Sequence, residues 1–376
     1  MKSNKFFLSL FFLLPFALFA QTKKMISIQN NTVYERKEAV VAIKWESILA
    51  AYPQIDTSNF IVINSNTKKQ VQYQLERRGS KIIQNLLVQV TVKAKSVVQL
   101  SIQKGKPQVF PVKTYARYVP ERMDDFAWEN DKIAFRTYGK ALEKTKGDAY
   151  GNDIWVKRTD KMILDKRYKS EDYHKDSGDG LDYYHVGFTL GAGNMAPYVN
   201  DTVRYSGNYH QWKIMDNGPL RSTFKLTYDE WNVNGLKVKA TKTMSLDAGS
   251  QLYQLENVYS FNDTKPLTVV AGIIKRPETG IISLNEQEGI MSYWEPKHGE
   301  DGTTGVGVIL TTPVNTMLVG KEQMLAQTEV KNNEPIVYYT GGAWDKAGKI
   351  TNNVQWIDYL NRFAMEIKNP LIVSIK

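Results

Sequence analysis

Three of the four histidines, His174, His185 and His210, fall within residues 172–212, the densest polar and aromatic stretch of the chain. Residues 183–212 carry seven aromatic side chains, Tyr183, Tyr184, Phe188, Tyr198, Tyr205, Tyr209 and Trp212, about twice the chain average of 11%. Sugars present apolar C–H faces that stack on such rings and hydroxyl edges that hydrogen-bond, while His and Tyr can move protons. If the segment is a strand, His185 points away from Tyr184 and shares a face with Tyr183, so one of the two tyrosines lines a cleft with it. Any single aromatic here is better explained as a half-buried sheet residue, and the glycines of residues 187–193 as bulges and turns. The cluster as a whole is what points to function.

Cations supply the second part of a site. Arg136 with Tyr138, Trp155 with Lys157, and Arg276 with Glu278 stand at or near strand ends. An Arg or Lys there can neutralise a uronate carboxylate, which binds an acidic sugar and acidifies its α proton. That is the requirement for β-elimination. The leading assignment is Tyr184 or His185 as base, His210 as acid or orienter, and Arg204, Arg136 or Arg276 on the carboxylate. Arg136, Tyr138, Trp155, Lys157, Tyr183, Tyr209, Trp212, Arg276 and Glu278 are the expected substrate contacts. The alternatives are an isomerase or mutarotase, a hydrolase using Glu278 with Asp182, or a non-catalytic glycan-binding protein whose aromatics form a platform. For each cation taken alone, a surface ion pair is the better explanation.

No metal ligands are assigned and no cofactor is required. Asp176, Asp179 and Asp182, with Gly178 and Gly180 between them, loosely suggest a calcium loop, but the spacing departs from the EF-hand pattern and a solvated turn is favoured. His298, in a loop of charged residues and glycines, reads as surface.

The elements that must position these residues are strands. The chain has 376 residues, 42% of them hydrophobic, enough to bury a sizeable core in one large all-β domain or two of ordinary size. It contains no cysteine, which excludes disulfides, thiolate metal sites and a Cys nucleophile. Residues 1–20 have the layout of a secretory signal, with Lys2 and Lys5 ahead of an apolar run and expected cleavage after Ala20. The run is short of the roughly 20 residues that span a bilayer, so no transmembrane segment is expected after its removal. Loss of those two lysines takes the formal charge from +10 to +8. A basic protein in the periplasm or outside the cell fits an acidic saccharide and argues against nucleic acid.

Residues 21–112 alternate in short runs, at 26–28, 40–44, 60–63, 71–75, 86–92 and 97–102, with one helical piece at 45–51 ended by Pro53. This reads as a small β-sandwich, closed by the restricted stretch from Lys104 to Pro111. In residues 113–376 strand patterns continue at 132–138, 223–228, 236–246, 252–261, 267–274 and 306–310, then a helix at 356–367 and a last strand at 371–375. Many strands without long helices argue for stacked antiparallel sheets. No Walker loop or nucleophile elbow is present, and a Rossmann fingerprint lacks the parallel sheet it needs.

The strings PERMDDFAWENDKIAFRTYGKAL from Pro120, YGNDIWVKR from Tyr150, KDSGDGLDYYHVGFTLGAGNMAPY from Lys175 and WIDYLNRFAMEIKNPL from Trp356 resemble the family called domain of unknown function 4861. The resemblance covers nearly the whole mature chain. It implies that residues 113–376 form a galactose-mutarotase-like β-supersandwich, in a setting of secreted polysaccharide-degrading enzymes beside unsaturated-glucuronyl hydrolases and polysaccharide lyases. It assigns no reaction and no catalytic residue. The sequence is therefore read as an all-β secreted protein acting on an acidic, uronate-containing saccharide.

Overall fold

The computed structural model describes residues 24–170 and 172–376; the expected signal segment lies outside the described residues. Among those residues no helix is long and apolar enough to cross a membrane.

Alternation builds the first unit. Strands Ile26–Asn30, Ser96–Lys104, Phe60–Asn64 and Gln70–Val71 form one antiparallel sheet. The other sheet pairs Arg36–Lys44, Asn85–Val92 and Tyr73–Glu76. Ile26, Ile28, Phe60, Val62, Leu86, Val88 and Leu100 fill the space between them. The helix Trp45–Ala51 buries Trp45 and Ile48 against the same core. The chain's last strand, Ile372–Ile375, pairs with Ile26–Asn30 rather than with the second unit. The division at residue 112 does not anticipate this return.

The second unit stacks three further antiparallel sheets. Eight strands, from Gln211–Asn217 to Ile281–Asn285, form the widest. One five-stranded sheet contains Thr114–Val119, Asp125–Asn130, Ala134–Thr137, Asp153–Lys157 and Gly180–Leu181; the other is built around Ala192–Val199, Leu267–Ile274 and Gln323–Val330. One core joins all three, with Phe126 and Phe224 stacked at 4.3 Å and Trp128 edge-on to Tyr253 at 5.2 Å. Such aromatic pairs bury large area and prefer these offset and edge geometries. The all-β, stacked-sheet expectation holds.

Helix Asn353–Lys368 starts at Asn352, whose side chain accepts from the Gln355 N–H at 3.0 Å. Trp356, Leu360 and Ala364 form its buried stripe. Gly307 in the strand below allows this approach, since a Cβ there would stand 2.6 Å from Leu360 Cδ2.

Candidate active site

In the five-stranded sheet of residues 114–181, one face joins the common core through Phe126, Trp128, Phe135, Ile154 and Val156. Period-two alternation sends Asp125, Arg136, Asp153, Trp155 and Lys157 to the other face. Pairing sets Arg136 opposite Asp153 in one neighbouring strand and opposite Ala127 in the other. That face is itself covered, by the helix Leu164–Tyr168 and the loop after it, so its charged groups are buried.

At one edge of this sheet the ends of four strands converge. Arg136 lies between the rings of Tyr138 and Trp155, with its guanidinium carbon 5.2 and 5.1 Å from their centroids. Its Nε donates to Asp153 Oδ2 at 2.9 Å, and its Nη2 donates to both Asp153 and Asp182, the latter at 3.0 Å. Asp125 completes the ring 3.7 Å away, and is itself reached by Arg122 at 3.4 Å and by the Tyr168 hydroxyl at 3.3 Å. Tyr138 Oη donates to Asp153 at 3.1 Å and the Ile154 N–H to its other oxygen at 2.8 Å. Both oxygens of Asp153 are thus occupied by donors, which suits its anionic form.

Asp182 differs. Burial, with the charge of Asp153 next, pushes its carboxyl up to about 8 against the pull of Arg136. Burial also raises Asp125, to about 6. Three carboxyls around one guanidinium therefore keep a proton near neutral pH. Gly180 holds the end of the strand that delivers Asp182: at φ +118° its Cβ would be 1.9 Å from the Val156 carbonyl oxygen, so only glycine fits.

Beyond Asp182 the chain runs extended but without sheet partners. The expected strand through His185 is corrected on this point, since pairing ends at Gly180–Leu181. The sidedness survives: Tyr184 is buried, Tyr183 half-buried and His185 exposed. Tyr184 has a buried hydroxyl with no partner and packs under Arg276, 4.6 Å from the ring centroid. Arg276 donates to Glu295 at 2.7 Å and to the His185 carbonyl oxygen. Burial pushes Glu295 up to about 7 despite Arg276. Burial likewise lifts the Tyr184 hydroxyl well above its ordinary value, so its resting state is a proton donor.

Histidine rings mark the outer side of this segment. A ring nitrogen of His174 is 2.8 Å from the Asp182 carbonyl oxygen and 3.9 Å from its carboxylate. His298 stacks on Tyr183 at 5.2 Å, and Tyr183 hydrogen-bonds Thr304 at 2.5 Å. His174, His185 and His298 are all exposed. The surface loop assigned to His298 therefore belongs beside the cluster.

Other expected site residues lie elsewhere. His210 contacts Asp229 at 3.0 Å, and Trp212 stacks on Tyr118 at 5.0 Å at the edge of the eight-stranded sheet. Tyr209 donates to the Asp124 carbonyl and touches the same aromatic group through Phe126. Among the described residues the Arg204 side chain donates only to the Val199 carbonyl, at 3.4 Å. Glu278 is exposed in a loop. Lys157 is committed to Glu129 at 2.6 Å and to two carbonyl oxygens, and Glu129 also accepts from the Ile163 and Leu164 N–H groups, fastening the covering helix. Asp176 is held by Arg158 and Asp179 by Lys166, so these two carboxylates do not converge with Asp182.

Asp125, Asp153 and Glu295 were not singled out from the sequence. The available signal was a charge inside a short aromatic strand, as in Asp125-Phe126-Ala127-Trp128 and Asp153-Ile154-Trp155, where both faces are buried and a charge needs a partner.

An all-β scaffold of stacked antiparallel sheets carrying a buried, partly protonated carboxyl cluster at one sheet edge is the class that fold and site define. The chain belongs to the family described as Domain of unknown function (DUF4861), matched over residues 28–373. It is 33% identical over 281 residues to the uncharacterized protein P7 of Formosa agariphila, covering 70% of each chain. Among solved structures it is similar to a protein in the glycosyl hydrolase family 38 from Enterococcus faecalis, with TM-score 0.51, 12% identity and 95% of this chain covered. An alpha-mannosidase from Enterococcus faecalis V583 gives TM-score 0.48, 9% identity and the same coverage. The chain spans about half the length of these two solved chains, 48% and 46%.

Proposed function

We propose that this protein is a carbohydrate-active enzyme exported from the cytoplasm, and that Asp182 is its general acid in cleaving a glycosidic bond of an acidic saccharide. The observation that carries this reading is the unequal pair under Arg136: Asp153 is saturated by donors, while Asp182 beside it keeps its proton. Environments that push neighbouring carboxyls apart assign the acid and its charged companion. In the step proposed, the glycosidic C–O bond breaks with its electron pair passing to the oxygen that Asp182 protonates. Water then adds to the anomeric carbon, and the proton it releases restores Asp182. The exposed ring of His174 stands 3.9 Å from the Asp182 carboxylate, and the reading places substrate entry on that side. The likeness in fold to a protein in the glycosyl hydrolase family 38 supports the substrate class; residues 1–20 support export.

One observation favours a second reading. The partnerless hydroxyl of Tyr184 under Arg276 suits the proton donor of a β-elimination rather than its base, with the guanidinium on the uronate carboxylate. Arg136 and Arg276 each already hold protein carboxylates, which is why hydrolysis is preferred. Mass spectrometry of products from a panel of acidic and neutral saccharides separates the two: hydrolytic masses support the Asp182 reading, and products lighter by one water overturn it.

A further inference from the structure

The carboxyl cluster is not where the protein's described cavities lie. Two adjoining cavities run between the N-terminal sandwich and the second unit, of about 680 and 490 Å³, and they share Glu38, Lys132, Gln251 and Lys349 in their walls. The smaller is within the range of small-ligand sites. Its wall carries six cationic side chains, Lys113, Lys132, Lys157, Arg158, Lys161 and Lys349, against three carboxylates.

How those charges pair decides what the cavity can hold. Lys157 is spent on Glu129, and Arg158 on Asp176 at 2.5 Å. Glu38 is shared by Lys113 at 3.9 Å and Lys132 at 3.5 Å, and Asp131 is held by Lys132 at 2.8 Å. Asp160 forms no ion pair in the cavity wall among the described residues, and neither do the ammonium groups of Lys161 and Lys349. Burial, and then the charge of Lys132, lowers the pKa of Lys349 against the pull of Glu38 and Asp131. Among the described residues Lys161 and Lys349 thus outnumber Asp160 as the unpaired charges of this wall, which leaves it net cationic.

We propose that the cavity between the two units binds the anionic substituent of a saccharide, a carboxylate or a sulfate ester, with Lys349 and Lys161 as its principal cationic contacts. This rests on the saccharide reading above and adds a place for the substrate's charge that the Asp182 cluster, with its excess of carboxylates, does not offer. The walls of the two cavities come from both units.

Isothermal titration of the folded protein with a galacturonate trisaccharide, a sulfated galactose trisaccharide and a neutral galactose trisaccharide tests this. The expected result is binding of one or both charged probes, none or much weaker binding of the neutral one, and an affinity about tenfold lower for Lys349→Ala and lower still for Lys349→Glu. Which charged probe binds more tightly tells carboxylate from sulfate. Lys161→Ala, at an exposed position, serves as a second variant that keeps the fold. Equal binding of charged and neutral probes, no binding of any, or affinities unchanged in all three variants overturns the proposal. Turnover is read separately: an inactive protein that still binds the charged probes through Lys349 sinks the Asp182 reading and leaves this one standing.

Discussion

The buried group with the most to lose is Asp182. Its neutral isostere keeps volume and hydrogen-bonding capacity but cannot donate a carboxyl proton. Asp182→Asn is expected to cut turnover by on the order of 10²-fold or more while leaving the melting temperature at about pH 4 within a few degrees and raising it at neutral pH. Paired kinetics and calorimetry check this. Activity should also fall as pH rises through about 8, where Asp182 loses its proton. The same group gives stability a pH dependence of definite sign. Asp182 at about 8, Glu295 at about 7 and Asp125 at about 6 all lie above the ordinary carboxyl value of roughly 4. The folded chain therefore holds more protons than the unfolded one, and stability falls as pH rises from about 4 to about 8. Melting curves across that window should show the fall, and Asp182→Asn should flatten it. Arg136 is the common partner of three carboxylates, so Arg136→Met leaves them uncompensated and is expected to cost about 3–5 kcal/mol, measured by denaturant unfolding.

At the scale of the element, strand Leu236–Asp247 carries a buried ionisable group that the site does not use. Lys242 points into the core, donates to Asn194 Oδ1 at 2.6 Å and the Met195 carbonyl at 2.9 Å, and has its ammonium 4.7 Å from the Tyr228 ring centroid. Burial alone lowers it to about 7. Here the sign reverses, because the unfolded chain binds the proton that the folded chain has given up. Stability rises with pH from about 7 to about 10.4. Lys242→Met should remove that rise in calorimetric melts between pH 7 and pH 10. Elements of this kind also mark how far the sequence could be read. Trp45–Ala51 was legible because an apolar pair at helical spacing ends against Pro53, and the strands at 252–261 and 267–274 because alternation or an unbroken apolar run spans each. Strands Asp125–Asn130 and Asp153–Lys157 were not, because they are buried on both faces yet hold charges, which erases the period-two signal. Tyr184, Arg276 and Arg136 were recognised by residue type, while Asp153 and Glu295 become visible only when strands from distant parts of the chain are set side by side.

For the molecule as a whole, the chain's end returns to its beginning: strand Ile372–Ile375 pairs with Ile26–Asn30, and Met25 and Lys376 exchange backbone hydrogen bonds at 2.8 and 3.0 Å. Deleting residues 370–376 would open an edge of the N-terminal sandwich, and is expected to lower Tm by roughly 5 °C and promote association, as calorimetry and light scattering would show. On the proposed reading the sheet edge supplies the acid and the cavities between the two units supply the cationic contacts. The central claim is that Asp182 protonates a glycosidic oxygen. Its most direct test is to incubate the protein and its Asp182→Asn variant with a panel of acidic and neutral saccharides and follow products by mass spectrometry. Products of hydrolytic mass from the wild type, absent or slowed at least a hundredfold in the variant, are the predicted result. Undiminished hydrolysis by the variant, products lighter by one water, or no products from any saccharide would contradict it.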